Sequence, residues 1–113
     1  MTDEQIALAR RAVACKGWRW MKGTRWWTDD DHGRLDDFQP EYMGRPTHAL
    51  PDLRDPATLG CVLALVREAH GRHCYTQACG GYWTIQDGDT EDAWGDHCAT
   101  EAEALVAALE AAP

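Results

Sequence analysis

Three stretches of the chain repeat apolar residues at helical spacing behind a capping residue. In the first, Thr2 with Gln5 three positions on forms a start signal. Ile6, Ala9 and Val13 make the apolar stripe and Gly17 offers a left-handed exit, which predicts a helix from about Asp3 to Lys16. In the second, Asp55 caps, Pro56 sits where a missing N–H is harmless, Leu59, Val62, Leu63, Val66 and Ala69 recur, and Gly71 ends the run. Leu59 to Val66 is apolar nearly all round, so this helix is expected to be buried on more than one side. The third starts at Thr100, which pairs with Glu103 in T-E-A-E as a capping box, and continues through Leu105, Val106 and Leu109 to Ala111.

Between the second and third helices the period changes to two. "HCYTQACGGYWTIQDGDTEDAWGDHCA" reads as strand, Gly80-Gly81 turn, strand, acidic turn, strand. With the two glycines as the loop, Cys79 faces Tyr82, Ala78 faces Trp83 and Thr76 faces Ile85, and the face carrying Ala78, Trp83, Thr76 and Ile85 is the expected core side. "WRWMKGTRWWT" predicts another hairpin, turning near Lys22-Gly23. Trp18 and Trp20 then share a face, while Trp26 and Trp27 point to opposite faces, so one of that last pair is a candidate for exposure. From Thr28 to Arg54 the chain is polar and holds Pro40, Pro46 and Pro51, which predicts a long loop.

This order of elements is α+β: three helices packed on an antiparallel sheet, with a Trp-rich N-terminal hairpin and a long loop, in one domain spanning 1–113. "LPDLRDPATLGCVLALVREAHG" (Leu50 to Gly71) and "TEAEALVAALEAAP" (Thr100 to Pro113) resemble a group of small uncharacterised phage and prophage proteins. More loosely, a first helix ending in Gly17-Trp18, a tryptophan-bearing strand and an alanine-rich last helix resemble the phage ABA sandwich domain. The resemblance implies a phage origin and a layered α/β/α shape. It rests on helix-packing residues and transfers no catalytic role, and the Trp-rich N-terminal segment departs from the usual pattern.

Composition sharpens this picture. A chain of 113 residues can bury roughly two-thirds of its unfolded surface without metal or disulfide. Its apolar runs fall far short of the roughly 20 residues a membrane span needs, and MTDEQ lacks a signal pattern. Five cysteines, an odd number without framework spacing, agree with free thiols in a reducing compartment. The expectation is a soluble protein of the cytoplasm, the host-cell cytosol. The formal net charge is -8 and unevenly placed: the first 25 residues are rich in Lys and Arg, whereas residues 73–113 contain neither. Such a surface repels phosphate and attracts basic partners over about a Debye length, roughly 8–10 Å.

Several residue sets hold types capable of chemistry. His70, His73, Cys74 and Cys79, with His97-Cys98, contain zinc-ligand types, but adjacent His73 and Cys74 point to opposite faces of a strand and there is no C-x2-C pair; separate histidines and packed thiols are the simpler reading. Cys79 beside two glycines invites a thiol nucleophile, yet no orienting partner is evident. "DDDHGR" and "DGDTED" offer alternating oxygens, but both miss the glycine and the bidentate glutamate of a helix-loop-helix calcium site, which leaves solvated turns. Lys16, Arg19, Lys22 and Arg25 among Trp18, Trp20, Trp26 and Trp27 are types that stack on bases and neutralise phosphates. A domain with a single Phe also needs these indoles for its core.

The functional expectation is a non-enzymatic phage accessory protein that binds a host or phage protein through an acidic surface. One version is an inhibitor of a bacterial defence complex, of the anti-CRISPR type, whose carboxylates occupy a basic nucleic-acid channel. The residues expected to carry it are Asp29, Asp30, Asp31, Trp27, Asp87, Asp89, Glu91 and Asp92. No cofactor or metal is expected, and both a monomer and a homodimer stay open. The alternative is a nucleic-acid-binding module using segment 16–27.

Overall fold

The computed structural model describes residues 1–35, 46–71, 73–88 and 93–113, with Cys79 and residues 93–97 described by backbone alone. Its elements in chain order are α1 (Asp3–Ala14), β1 (Arg25–Trp27), β2 (His32–Arg34), β3 (Leu50–Pro51), α2 (Pro56–His70), β4 (Cys74–Cys79), β5 (Tyr82–Asp87), β6 (Ala93–Cys98) and α3 (Glu101–Glu110). The class is α+β, with two small antiparallel sheets ordered β2-β1-β3 and β4-β5-β6.

The helix starts follow their caps. Thr2 accepts from Gln5 N and Gln5 reaches back to Thr2 N, Asp55 accepts from Thr58 N, and Thr100 accepts from Glu103 N. In the third cap the returning carboxylate bonds Ala99 N, one residue earlier than the reciprocal pattern expects. Gly71 ends α2 at a φ of 64°. The end of α1 differs from expectation: the helix stops at Ala14 and Cys15 leaves in extended conformation. Gly17 instead lies close to α3, where a Cβ would stand 3.1 Å from Leu109 Cδ1. The stripe that α1 buries is Leu8, Ala9 and Ala12, rotated from the predicted Ile6, Ala9 and Val13.

The three helices run the same way. Arg11 near the end of α1 pairs with Glu110 at the end of α3, and His70 at the end of α2 donates from Nε2 to the Ala108 carbonyl at 2.7 Å. Their first turns gather at the opposite end of the molecule, where Thr2, Leu59 and Thr100 line one cleft. The main core lies among the helices and against one face of the β4-β5-β6 sheet. Leu65, Ile85 and Leu105 are fully buried there, each stabilising the fold by about 1.5–3 kcal/mol.

In that sheet Cys79 faces Tyr82, Ala78 faces Trp83 and Thr76 faces Ile85 around the Gly80-Gly81 turn, where both glycines have positive φ. Ile85 is buried and Trp83 packs on the core, while Ala78 lies beyond it, exposed. The opposite face carries Tyr75, which is 46% exposed, and Gln77. Among the described residues the helices therefore cover one face of this sheet. On the other face Tyr75 and Gln77 are exposed and Gln86 partly so, while Thr84 between them is buried and accepts from Gln86 Nε2 at 2.9 Å.

Among the described residues the N-terminal tryptophans form no strand before the turn. Trp18–Met21 lie outside any strand, and β1 pairs with β2, which follows it, and with β3. Trp26, Leu35 and Ala49 make a second, smaller core with Trp20 packed against it, while Trp18 packs on the main core. Trp18 and Trp20 meet edge to face at 5.4 Å and join the two cores. Of the loop predicted over 28–54, the described parts contain β2 and β3; residues 36–45 lie outside the described residues.

Candidate binding surface

The basic, aromatic segment is spent largely on the molecule itself. Trp26 is 7% exposed, and its indole lies across Gly33 of the neighbouring strand, where a Cβ would come within 2.7 Å of the ring. Trp27 points to the other face and is half-buried. Arg19 pairs with Glu68, drawing that carboxyl below its ordinary pKa. Arg25 approaches Asp52 at 3.8 Å, and its Nη2 donates to His32 Nδ1 at 3.0 Å. Lys16 is exposed.

Two carboxylates organise the junction of the β2-β1-β3 sheet with α2. Asp55 caps the helix through Thr58 N and accepts from Thr58 Oγ, while Arg34 donates to both its oxygens at 2.8 and 2.9 Å. Thr58 Oγ in turn accepts from Arg25 N, tying β1 to the helix start. The Arg34 guanidinium holds the Asp55 carboxyl well below the usual range, against the opposing effect of burial. Asp52 is buried, which alone would raise its pKa; hydrogen bonds from Arg54 Nε at 2.9 Å and Nη2 at 3.0 Å outweigh that and lower it.

The outward carboxylates are elsewhere. Asp29, Asp30 and Asp31 are exposed on the turn between β1 and β2. Thr28 shapes this turn: its Oγ accepts from Asp30 N and Asp31 N, and Asp31 Oδ1 accepts from His32 N at 2.8 Å. Asp87 requires a correction, because it is 1% exposed at the inner end of β5. Strand alternation explains this: Trp83, Ile85 and Asp87 share parity, so the aspartate follows the core-facing side chains inward. Asp87 cannot belong to a surface for a partner. Asp89, Glu91 and Asp92 lie outside the described residues.

Sequence reading did not single out the end where the three helices begin. Asp3 and Glu4 stand in the first turn of α1 and Glu101 and Glu103 in that of α3. Carboxylates there complement the positive ends of the helix dipoles. Glu4, Glu101 and Glu103 line a cleft of about 440 Å³ together with Leu8, Leu53 and Leu59. The signal was present in acidic first turns, but only parallel packing of the helices makes one surface of them.

The cysteine and histidine set is not brought together as far as it is described. His73 is exposed and Cys74 buried, on opposite sides of the chain, and His70 is bonded to Ala108. Cys98 packs on the main core; the side chains of Cys79 and His97 lie outside the description. Burial raises the Cys15 thiol, which donates to the Arg11 carbonyl at 3.3 Å. Among the described residues no group of three or more His, Cys, Asp or Glu is placed to hold a metal ion, and no helix is long and apolar enough to cross a membrane.

No family model matches the chain, and no curated protein and no solved structure matches it significantly.

Proposed function

We propose that this protein is a non-enzymatic binding module that engages a basic surface of a protein partner through its outward carboxylates. The observation that carries the reading is an asymmetry of pairing. Arg11, Arg19, Arg25, Arg34 and Arg54 are committed to carboxylates of the chain itself. Asp29, Asp30, Glu4 and Glu101 make no ion pair among the described residues and face solvent wholly or in part. Arg10 and Lys16 are exposed without an ion pair among the described residues as well, but with a net charge of -8 the field a partner meets is negative, which speeds encounter with a basic surface.

The phage reading comes from the resemblance of Leu50–Gly71 and Thr100–Pro113. With it, the partner class is a host or phage component in the bacterial cytosol, such as a defence complex whose basic nucleic-acid channel the carboxylates occupy. Trp27, half-buried beside the Asp29–Asp31 turn, is a hydrophobic contact for the same partner.

Affinity capture from bacterial lysate with the whole chain and with Asp29→Lys, Asp30→Lys and Asp31→Lys combined tests this. A protein enriched by the native chain and lost with the variant supports the reading; equal enrichment by both, or none by either, refutes it. Direct nucleic-acid binding through 16–27 is the competing reading, disfavoured because Arg19 and Arg25 already hold internal partners.

A further inference from the structure

We infer that the cleft where the three helices begin takes a lysine- or arginine-bearing amphipathic segment of the partner, an inference that rests on the binding reading above and places a contact within it. Leu8, Leu53 and Leu59 give the cleft an apolar floor, and Glu4, Glu101 and Glu103 rim it.

Converging helix starts would ordinarily favour an anion, because free N–H groups and dipole ends point outward. Here the chain answers those groups itself. Thr2 Oγ accepts from Gln5 N, Thr100 Oγ from Glu103 N, Asp55 Oδ2 from Thr58 N, and Glu103 Oε2 from Ala99 N. The arginine at the cleft, Arg54, is turned to Asp52 through two nitrogens. What remains for a ligand is the pair of carboxylates on Glu4 and Glu101, which have no hydrogen-bond or ion-pair partner among the described residues, and the second oxygen of Glu103. Three carboxylates exceed the roughly half charge of each helix end, so the occupant is a cation. An aliphatic stem suits the leucine floor, and the same geometry accepts the long side chains of lysine or arginine with the charged head at the rim. A volume of about 440 Å³ has room for such a side chain and an apolar neighbour.

The test uses the full chain, labelled with 15N, and three probes: a short amphipathic helical peptide of leucine and lysine, the same peptide with glutamate for lysine, and spermidine. Expected are shifts confined to the backbone amides around Leu8, Leu53, Leu59 and Glu101–Glu103 with the lysine peptide and none with the glutamate peptide. The combined variant Glu4→Gln, Glu101→Gln should weaken binding about tenfold. Ala102→Met, which fills the cleft without altering charge, should weaken it as well; the charge variant keeps the test decisive if this one misfolds. Shifts spread over the Asp29–Asp31 turn instead, equal binding of both peptides, or spermidine perturbing the cleft as strongly as the peptide would overturn the inference. Capture of a partner that depends on Asp29–Asp31 and not on Glu4 and Glu101 removes the cleft from the account and leaves the binding reading standing. Capture that depends on neither removes both.

Discussion

Arg34 on β2 grips Asp55, the residue that caps α2, with both terminal nitrogens at 2.8 and 2.9 Å, and its Nη1 also donates to the Gly23 carbonyl at 2.7 Å. One side chain thus fastens the turn before β1, the strand after it and the start of the second helix. Removing the carboxylate as Asp55→Ala takes away a cap and a two-point ion pair together. The partly exposed guanidinium moderates the loss, and about 2 kcal/mol of destabilisation is expected in urea or thermal unfolding. Asp55→Asn keeps a capping oxygen and is expected to cost about half as much.

The same junction sets an acid limit. The carboxyls of Asp52 and Asp55 sit lower in the folded chain than in the unfolded one. Each then contributes stability that is fully present above its unfolded value, near pH 4, and is lost as pH falls through its folded value. Unfolding midpoints measured from about pH 5 downward should therefore drop, and Asp55→Ala should show a shallower drop than the native chain.

Gly33 and Trp26 make a second linked pair. A methyl group at residue 33 would meet the indole at 2.7–2.8 Å, so Gly33→Ala is expected to destabilise by about 1–3 kcal/mol through displacement of the ring. In a double-mutant cycle with Trp26→Leu the penalty at residue 33 should shrink, since the obstructing ring is gone. Equal penalties in both backgrounds would contradict the stacked arrangement.

Electrophoretic mobility of single-stranded and duplex DNA at low salt separates the competing readings. The paired arginines and net charge of -8 predict no shift at micromolar protein. A shift abolished by Lys16→Glu and Arg19→Glu would favour the nucleic-acid reading.

Much of the fold was legible because it is local. The caps Thr2, Asp55 and Thr100 and the Gly80-Gly81 turn state their roles within a few residues, and the register of β4 on β5 follows from that turn. The partner of β1 was not legible. Alternation of Trp18 and Trp20 before Lys22 suggested an earlier strand, whereas pairing with β2 and β3 depends on Gly33 admitting Trp26 and on Arg34 reaching Asp55. Asp87 was misplaced because its acidic neighbours suggested a turn; parity with Ile85 was the better guide. The acidic end at Glu4 and Glu101 depends on helix direction, which the three separate patterns do not state.

Recognition by charge on the outside of the chain is tested by the association rate with the captured partner across a salt series. The rate is expected to fall steeply as salt rises, and to drop further with Asp29→Lys, Asp30→Lys and Asp31→Lys combined while dissociation changes less. A rate indifferent to both salt and those substitutions would contradict it.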